Sequence, residues 1–349
     1  MAFRLVASLL PLVVLVTAAC GGDDDTSSSG AGAGTSTGTG TGPGTGGMAA
    51  GGSSAGGSAA GGMGMGGAGG GGLDCTNLPA GPIAAELIST NFDGSEDLAF
   101  DGLGNIAGRA GANIALLDAS DVLTPDYATS LAGTTLGVRF MSDGTLMVAS
   151  AGLRTIPPGG GMATVFAPAL STDGVNGVFV DFDDNVWFTR FSQSLVVRID
   201  ANLTETVIAS GSDADQANGI VLHPTLPVLY YTEYSQARIH RVDVSGTTFT
   251  PLEIASIPGA ALDGMAMDAC GNLYVVDNGN DRLYRLLLDS DGQAMGTPEE
   301  IASFPTNVAN AQFGSGTGWD PSSLYATGFP GDLYRVPVGV PGAPVPTAP

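Results

Sequence analysis

Four oxygen-bearing side chains each open a short apolar run at the same phase. They are Glu96 before Asp-Leu-Ala-Phe, Asn176 before Gly-Val-Phe-Val, Asn218 before Gly-Ile-Val-Leu, and Asp263 before Gly-Met-Ala-Met. Carboxylate and amide oxygens without His or Cys suit a hard cation, Ca²⁺ above all, provided that the fold brings them to one place. Each also has a plainer reading. Glu96 could be a solvated acid at a strand start, and Asn-Gly is the favoured two-residue hairpin turn. The pairs at 176, 218 and 263 nevertheless stand before an apolar strand, and each strand is followed by a separate Gly/Asp turn signal of its own.

The elements that must position these residues form a repeat. Inner-strand starts fall at Glu96, Leu136, Asn176, Asn218, Asp263 and Asn310, spaced by 40, 40, 42, 45 and 47 residues. This period suits a four-stranded propeller blade and is too long for a leucine-rich repeat. The clearest copy runs from Asp263 through the Ala-Cys-Gly-Asn turn to Leu-Tyr-Val-Val-Asp277, then to Arg282-Leu-Tyr-Arg-Leu. No segment holds a helical period. The expected fold is therefore all-β, a six-bladed β-propeller over residues 75–345. The first strand of each blade lines the central axis of such a fold, so the four polar side chains should converge there. Ala84-Ala-Glu-Leu-Ile88 has no partner in the repeat, and it is the strand expected to complete the sixth blade and close the ring.

The N-terminus has the three parts of a secretory signal over residues 1–19: Arg4, an apolar run from Leu5 to Val16, and small residues before Cys20. That run is shorter than the roughly 20 residues a membrane span needs. Cys20 after two small residues resembles a bacterial lipoprotein cleavage box and is the expected lipidation site. Residues 20–74, rich in Gly, Ser, Thr and Ala, lack the apolar content to fold and read as a flexible tether. An exported protein held at the membrane through a lipid anchor follows, periplasmic or at the cell surface. Cys75 and Cys270 are the two cysteines left in the domain, and their expected pairing would staple its first segment to the fifth blade. The alternative is two separate thiols.

The chain has no Lys, and its 11 Arg stand against 34 acids for a net charge of −23. That balance argues against nucleic acid and anionic membrane surfaces as partners. The missing Lys excludes Schiff-base chemistry, Walker phosphate loops and Ser-Lys dyads. Two histidines, His223 in a Pro-bounded turn and His240 on an outer strand, are too few and too scattered for a Ser/His triad. Asp289-Ser-Asp-Gly292 reads as a turn, because Ala294 takes the place of the Gly a helical calcium loop requires.

Several segments together resemble the senescence-marker/gluconolactonase family, of which regucalcin is a member. They are Glu96-Asp-Leu-Ala-Phe-Asp, Asn176 through Trp187-Phe-Thr189, Ala217-Asn-Gly-Ile220, Leu262 through Leu273-Tyr-Val275, and Phe313-Gly-Ser-Gly with Leu324-Tyr-Ala-Thr327. The resemblance spans the whole repeat region. It implies a six-bladed propeller with an axial divalent metal, usually Ca²⁺, held here by Glu96, Asn218 and Asp263. Asn176 would contact substrate, and Asp263 would also serve as general base. The implied activity is hydrolysis of a lactone or ester by a monomer. Three departures stand out: Gly174 where the sugar-lactone hydrolases often carry Arg, Asn176-Gly177 for Asn-Asp, and Glu96-Asp97-Leu98 for Glu-Gly-Pro. Without the Arg, small or hydrophobic lactones are expected over aldonolactones. A non-catalytic propeller binding a ligand or protein is the alternative.

Overall fold

A computed structural model describes residues 73–349, and these fold into six sheets of mainly antiparallel strands arranged as propeller blades. The signal peptide (1–19), Cys20 and the tether (20–74) lie outside the described residues, apart from Leu73 and Asp74. The inner strands of blades 1 to 6 are Leu98–Phe100, Gly137–Phe140, Val175–Val180, Ala217–Leu222, Leu262–Met267 and Asn310–Phe313. They begin within two residues of the sequence-derived starts. Second strands such as Val228–Glu233 and Leu273–Asp277 are buried along their whole length. Tyr230, Tyr231 and Tyr274 contribute their rings to the packing between blades.

Glu86–Ser89 pairs antiparallel with Leu333–Pro337 and completes blade 6, so the first strand of the domain closes the ring against the last. An Arg335–Glu86 ion pair at 2.6 Å lies across that seam. The segment before it runs along blade 5, where Ile83 N donates to Ile301 O at 2.6 Å. Cys75 and Cys270 are bonded there, with Cα atoms 5.7 Å apart. Blade 2 is irregular: after its Pro157-Pro158 turn the chain lends Gly161–Met162 to blade 1 as a fifth, parallel strand, and then returns as the short outer strand Thr164–Val165.

The C-terminal residues continue past 345 and cross one end of the ring. Ala343 N donates to Met267 O at 2.9 Å in blade 5, Thr347 packs on Gly102 of blade 1, and Pro349 reaches Gly144 of blade 2. Under this strap lies a cavity of about 360 Å³ bounded by Met265, Met267, Phe313 and Trp319. The opposite end of the axis is left uncovered by the strap.

Candidate functional site

The strands that carry Asn176, Asn218 and Asp263 share one local fault. Pairing of inner and second strands is interrupted between Val175 and Val178, between Ala217 and Ile220, and between Leu262 and Met265. Each interruption is a bulge containing Asn176-Gly177, Asn218-Gly219 or Asp263-Gly264, and a bulge re-aims a side chain that the pleat would otherwise fix. These Asn-Gly and Asp-Gly pairs are therefore not hairpin turns. Their glycines serve close approach between blades instead. A Cβ on Gly177 would stand 2.1 Å from Asn218 O, one on Gly219 2.2 Å from Asp263 O, and one on Gly264 2.2 Å from the Asn310 side chain.

Buried threonines at the ends of second strands tie the bulges of blades 3 and 4 to the next blade. Thr189 Oγ1 accepts from Gly177 N at 2.9 Å and donates to Asn218 O at 2.7 Å. Thr232 Oγ1 accepts from Gly219 N at 2.8 Å and donates to Asp263 O at 2.8 Å. Across the closing seam Thr327 Oγ1 donates to Ser95 O at 3.2 Å, beside Glu96. These hydroxyls were not singled out from sequence. The signal was present, because Thr recurs two residues before an aromatic ring at Thr189/Phe191, Thr232/Tyr234 and Thr327/Phe329.

Glu96, Asn176, Asn218 and Asp263 line one cavity of about 300 Å³, which opens between the rim residues Phe191, Tyr234, Asn278, Asn307 and Phe329. Asn218 and Asp263 are buried, whereas Glu96 and Asn176 are partly exposed. Burial, followed by the charges of Glu96 and Asp97, raises the Asp263 carboxyl far above the usual range. Burial and then the Asp97 charge raise Glu96, with Arg109 opposing. Arg109 is itself held by the carbonyls of Gly111 at 2.8 Å and Gly94 at 3.1 Å. Two carboxylates that oppose each other's ionisation in a half-dry pocket call for protons or a cation. Among the described residues no group of three or more His, Cys, Asp or Glu side chains gathers to hold an ion, so the donor set here depends on its amides.

Asp97 takes no place in the cavity. It is fully buried against Arg139 of blade 2 at 2.6 Å and accepts from Val138 N at 2.9 Å. Asp97 thus forms a buried ion pair between blades 1 and 2. Gly174 has a structural cause as well. Its φ is +69°, its carbonyl accepts from Phe191 N at 3.0 Å, and a Cβ would lie 2.0 Å from Gln193 Oε1. A side chain at 174 would have to adopt this left-handed backbone and displace the Ser192 and Gln193 side chains of the rim turn Phe191–Gln193.

The remaining candidates are structural. His223 Nδ1 accepts from Thr225 N at 3.2 Å and Leu226 N at 3.1 Å inside its turn. His240 stacks on Tyr231 with ring centroids 5.0 Å apart and approaches buried Glu233 at 3.3 Å. Asp289 caps its own turn by accepting from Asp291 N and Gln293 N, both at 2.9 Å.

No protein-family model matches the sequence, and no curated protein matches it. Solved structures do. A gluconolactonase from Xanthomonas campestris is 18% identical with a TM-score of 0.59, covering 75% of this chain and 99% of its own. A calcium-binding protein, regucalcin from Agrobacterium tumefaciens, is 17% identical with a TM-score of 0.60, covering 77% and 98%. A virginiamycin B lyase from Staphylococcus aureus is 16% identical with a TM-score of 0.51, covering 70% and 80%. At these identities the likeness shows the fold alone, a β-propeller, and propellers carry different chemistries in different proteins.

Proposed function

We propose that the domain is a metal-dependent hydrolase of lactones or related esters, using Ca²⁺ or another divalent cation. The observation that carries this reading is the opposition of Glu96 and Asp263 in one axial cavity with Asn176 and Asn218, an all-oxygen donor set whose two acids are hard to ionise together without a neutralising cation. Glu96, Asn218 and Asp263 would hold the ion. When bound it supplies Lewis-acid polarisation and a water of lowered pKa. Asp263 would take the proton of an attacking water. Asn176, partly exposed and on the neighbouring blade to Asn218, orients the substrate through its amide. The fold shared with the Xanthomonas gluconolactonase supports the reaction class. The test is metal analysis of the purified domain, followed by a lactone and ester screen with chelator and with added Ca²⁺. Turnover that needs the ion and falls by orders of magnitude in Asp263→Asn supports the reading. A cation-loaded, folded protein inactive across the panel would favour the ligand-binding propeller instead.

The setting belongs to the same proposal. The signal-like N-terminus, Cys20 and the low-complexity stretch after it support an exported, lipid-anchored protein, and the Cys75–Cys270 bond suits an oxidising compartment. Cys20→Ser should release the protein from the membrane fraction. Unchanged fractionation would refute the anchor.

A further inference from the structure

The rim of the cavity is uneven around the axis. Phe191, Tyr234, Asn278 and Phe329 all occupy the same connection, between the second and third strands of blades 3, 4, 5 and 6. In blades 1 and 2 that connection is Gly111-Ala112 and Ser150-Ala151-Gly152. A wall with three aromatic rings therefore stands on one side and a low sill of small residues on the other. Phe191 and Tyr234 meet edge to face at 5.8 Å, and Phe329 is 41% exposed although it borders a polar cavity.

The polar groups of the wall are engaged with one another. Tyr234 Oη donates to Asn278 Oδ1 at 2.9 Å, and Asn278 Nδ2 donates to Asn307 Oδ1 at 3.0 Å and Val308 O at 2.9 Å. Asn307 Nδ2 in turn donates to Asn278 O at 2.9 Å and Asp281 Oδ1 at 3.1 Å. These amides brace the wall and leave its rings to face a ligand. None of the residues lining the cavity is Lys or Arg, and two are acids. An anionic ligand meets repulsion there, and a polyhydroxylated one finds few free donors on the wall. The polar end of a ligand belongs at the floor beside Glu96, Asn176 and Asp263, with its apolar part against the rings.

We infer that Phe191, Tyr234 and Phe329 form a subsite for an aryl or branched-alkyl substituent, so that the substrate is an uncharged lactone or ester carrying such a group. The inference rests on the hydrolase reading for the words lactone and ester, but the subsite itself can be tested by binding alone. Phe191 and Phe329 are at the surface rather than in the blade cores, so their alanine variants should fold, which circular dichroism and melting would confirm.

The experiment has a kinetic and a binding arm on the whole domain. In the first, γ-phenyl-γ-butyrolactone is compared with glucono-δ-lactone. Phe191→Ala and Phe329→Ala should each raise KM for the phenyl lactone roughly tenfold, the loss expected for an aromatic contact, with kcat within about twofold. Phe191→Leu should recover part of the loss. In the second arm, calorimetry follows the non-hydrolysable γ-phenyl-γ-lactam and the unsubstituted lactam in wild type, in Asp263→Asn and in the two alanine variants. Preference for the phenyl lactam that survives Asp263→Asn and disappears in the alanine variants supports the subsite even if no lactone is turned over. Equal binding of both lactams, no binding of the phenyl lactam, or phenyl-lactam affinity unchanged in both alanine variants would overturn it.

Discussion

Gly219→Ala tests whether the bulges exist to let the blades close on one another. The new Cβ would sit 2.2 Å from Asp263 O and 2.9 Å and 3.0 Å from Gly264 backbone atoms. These neighbours are main chain and cannot rotate away, so blades 4 and 5 must separate by roughly an ångström to restore a normal contact of about 3.5 Å. Overpacking of this kind costs about 1–3 kcal/mol, and rigid backbone on both sides places Gly219 at the upper end. For a domain of this size about 3 kcal/mol corresponds to a fall in Tm of roughly 6–12 °C. The same displacement carries Asp263 away from Asn218, so cation affinity should fall together with stability. Gly246→Ala is the control. Its Cβ would meet nothing nearer than 4.0 Å and its φ is not positive, so it should be neutral or stabilising by about 0.4–1 kcal/mol. Denaturant melts and Ca²⁺ titration of both variants decide the matter. A Gly219→Ala protein within about 0.5 kcal/mol of wild type and with unchanged cation affinity would refute the close-approach argument.

Glu96 is pushed up to about 8 from 4.5 by burial and then the Asp97 charge, and Asp263 is raised as well. The folded state thus binds more protons than the unfolded chain between those pH values. Cation-free protein should lose stability as pH rises from about 5 to 8, and excess Ca²⁺ should remove that slope; parallel Tm profiles in chelator and Ca²⁺ would contradict it. Reducing the Cys75–Cys270 bond opens a link across 195 residues and should cost about 5 kcal/mol on chain-entropy grounds, read from denaturant melts of wild type and the Cys75→Ala/Cys270→Ala variant. Arg139→Leu strands the buried Asp97 carboxylate and should cost about 3–5 kcal/mol, part of which Asp97→Asn restores in the same background. Failure of that rescue would mean that packing rather than charge dominates there.

The ring was legible because five of the six inner strands are opened by a polar residue at one phase of the repeat, and that phase survives changes in loop length. The convergence of Glu96, Asn176, Asn218 and Asp263 followed from it directly. Blade 2 was harder to read. Its outer strand has two residues, and the Gly161–Met162 strand joins a neighbouring blade, a pairing that no local pattern encodes. The threonine ties and the aromatic wall were missed for another reason. Their spacing is regular only when the repeat is aligned on the ends of the second strands, and blade 5 breaks it with Val276 and Asn278. Gly174 read as a missing Arg that would shift lactone preference, while in the folded chain its left-handed backbone beside the rim turn is a conformation that favours glycine.

The bond between Cys75 and Cys270 also settles how the domain would bear a mechanical load. Tension arriving along the N-terminal chain reaches Cys75 first and passes through sulfur into the turn of blade 5. The closing strand Glu86–Ser89, which hydrogen bonds hold at the edge of blade 6, lies beyond that point in the chain. Pulling therefore loads a covalent link and the body of a blade, while the strand that would otherwise peel away one rung at a time stays slack. A reduced domain has lost this protection. The same force would unzip the seam, and Thr327 would release Ser95 beside Glu96, so the cavity would open from the side where the ring was joined.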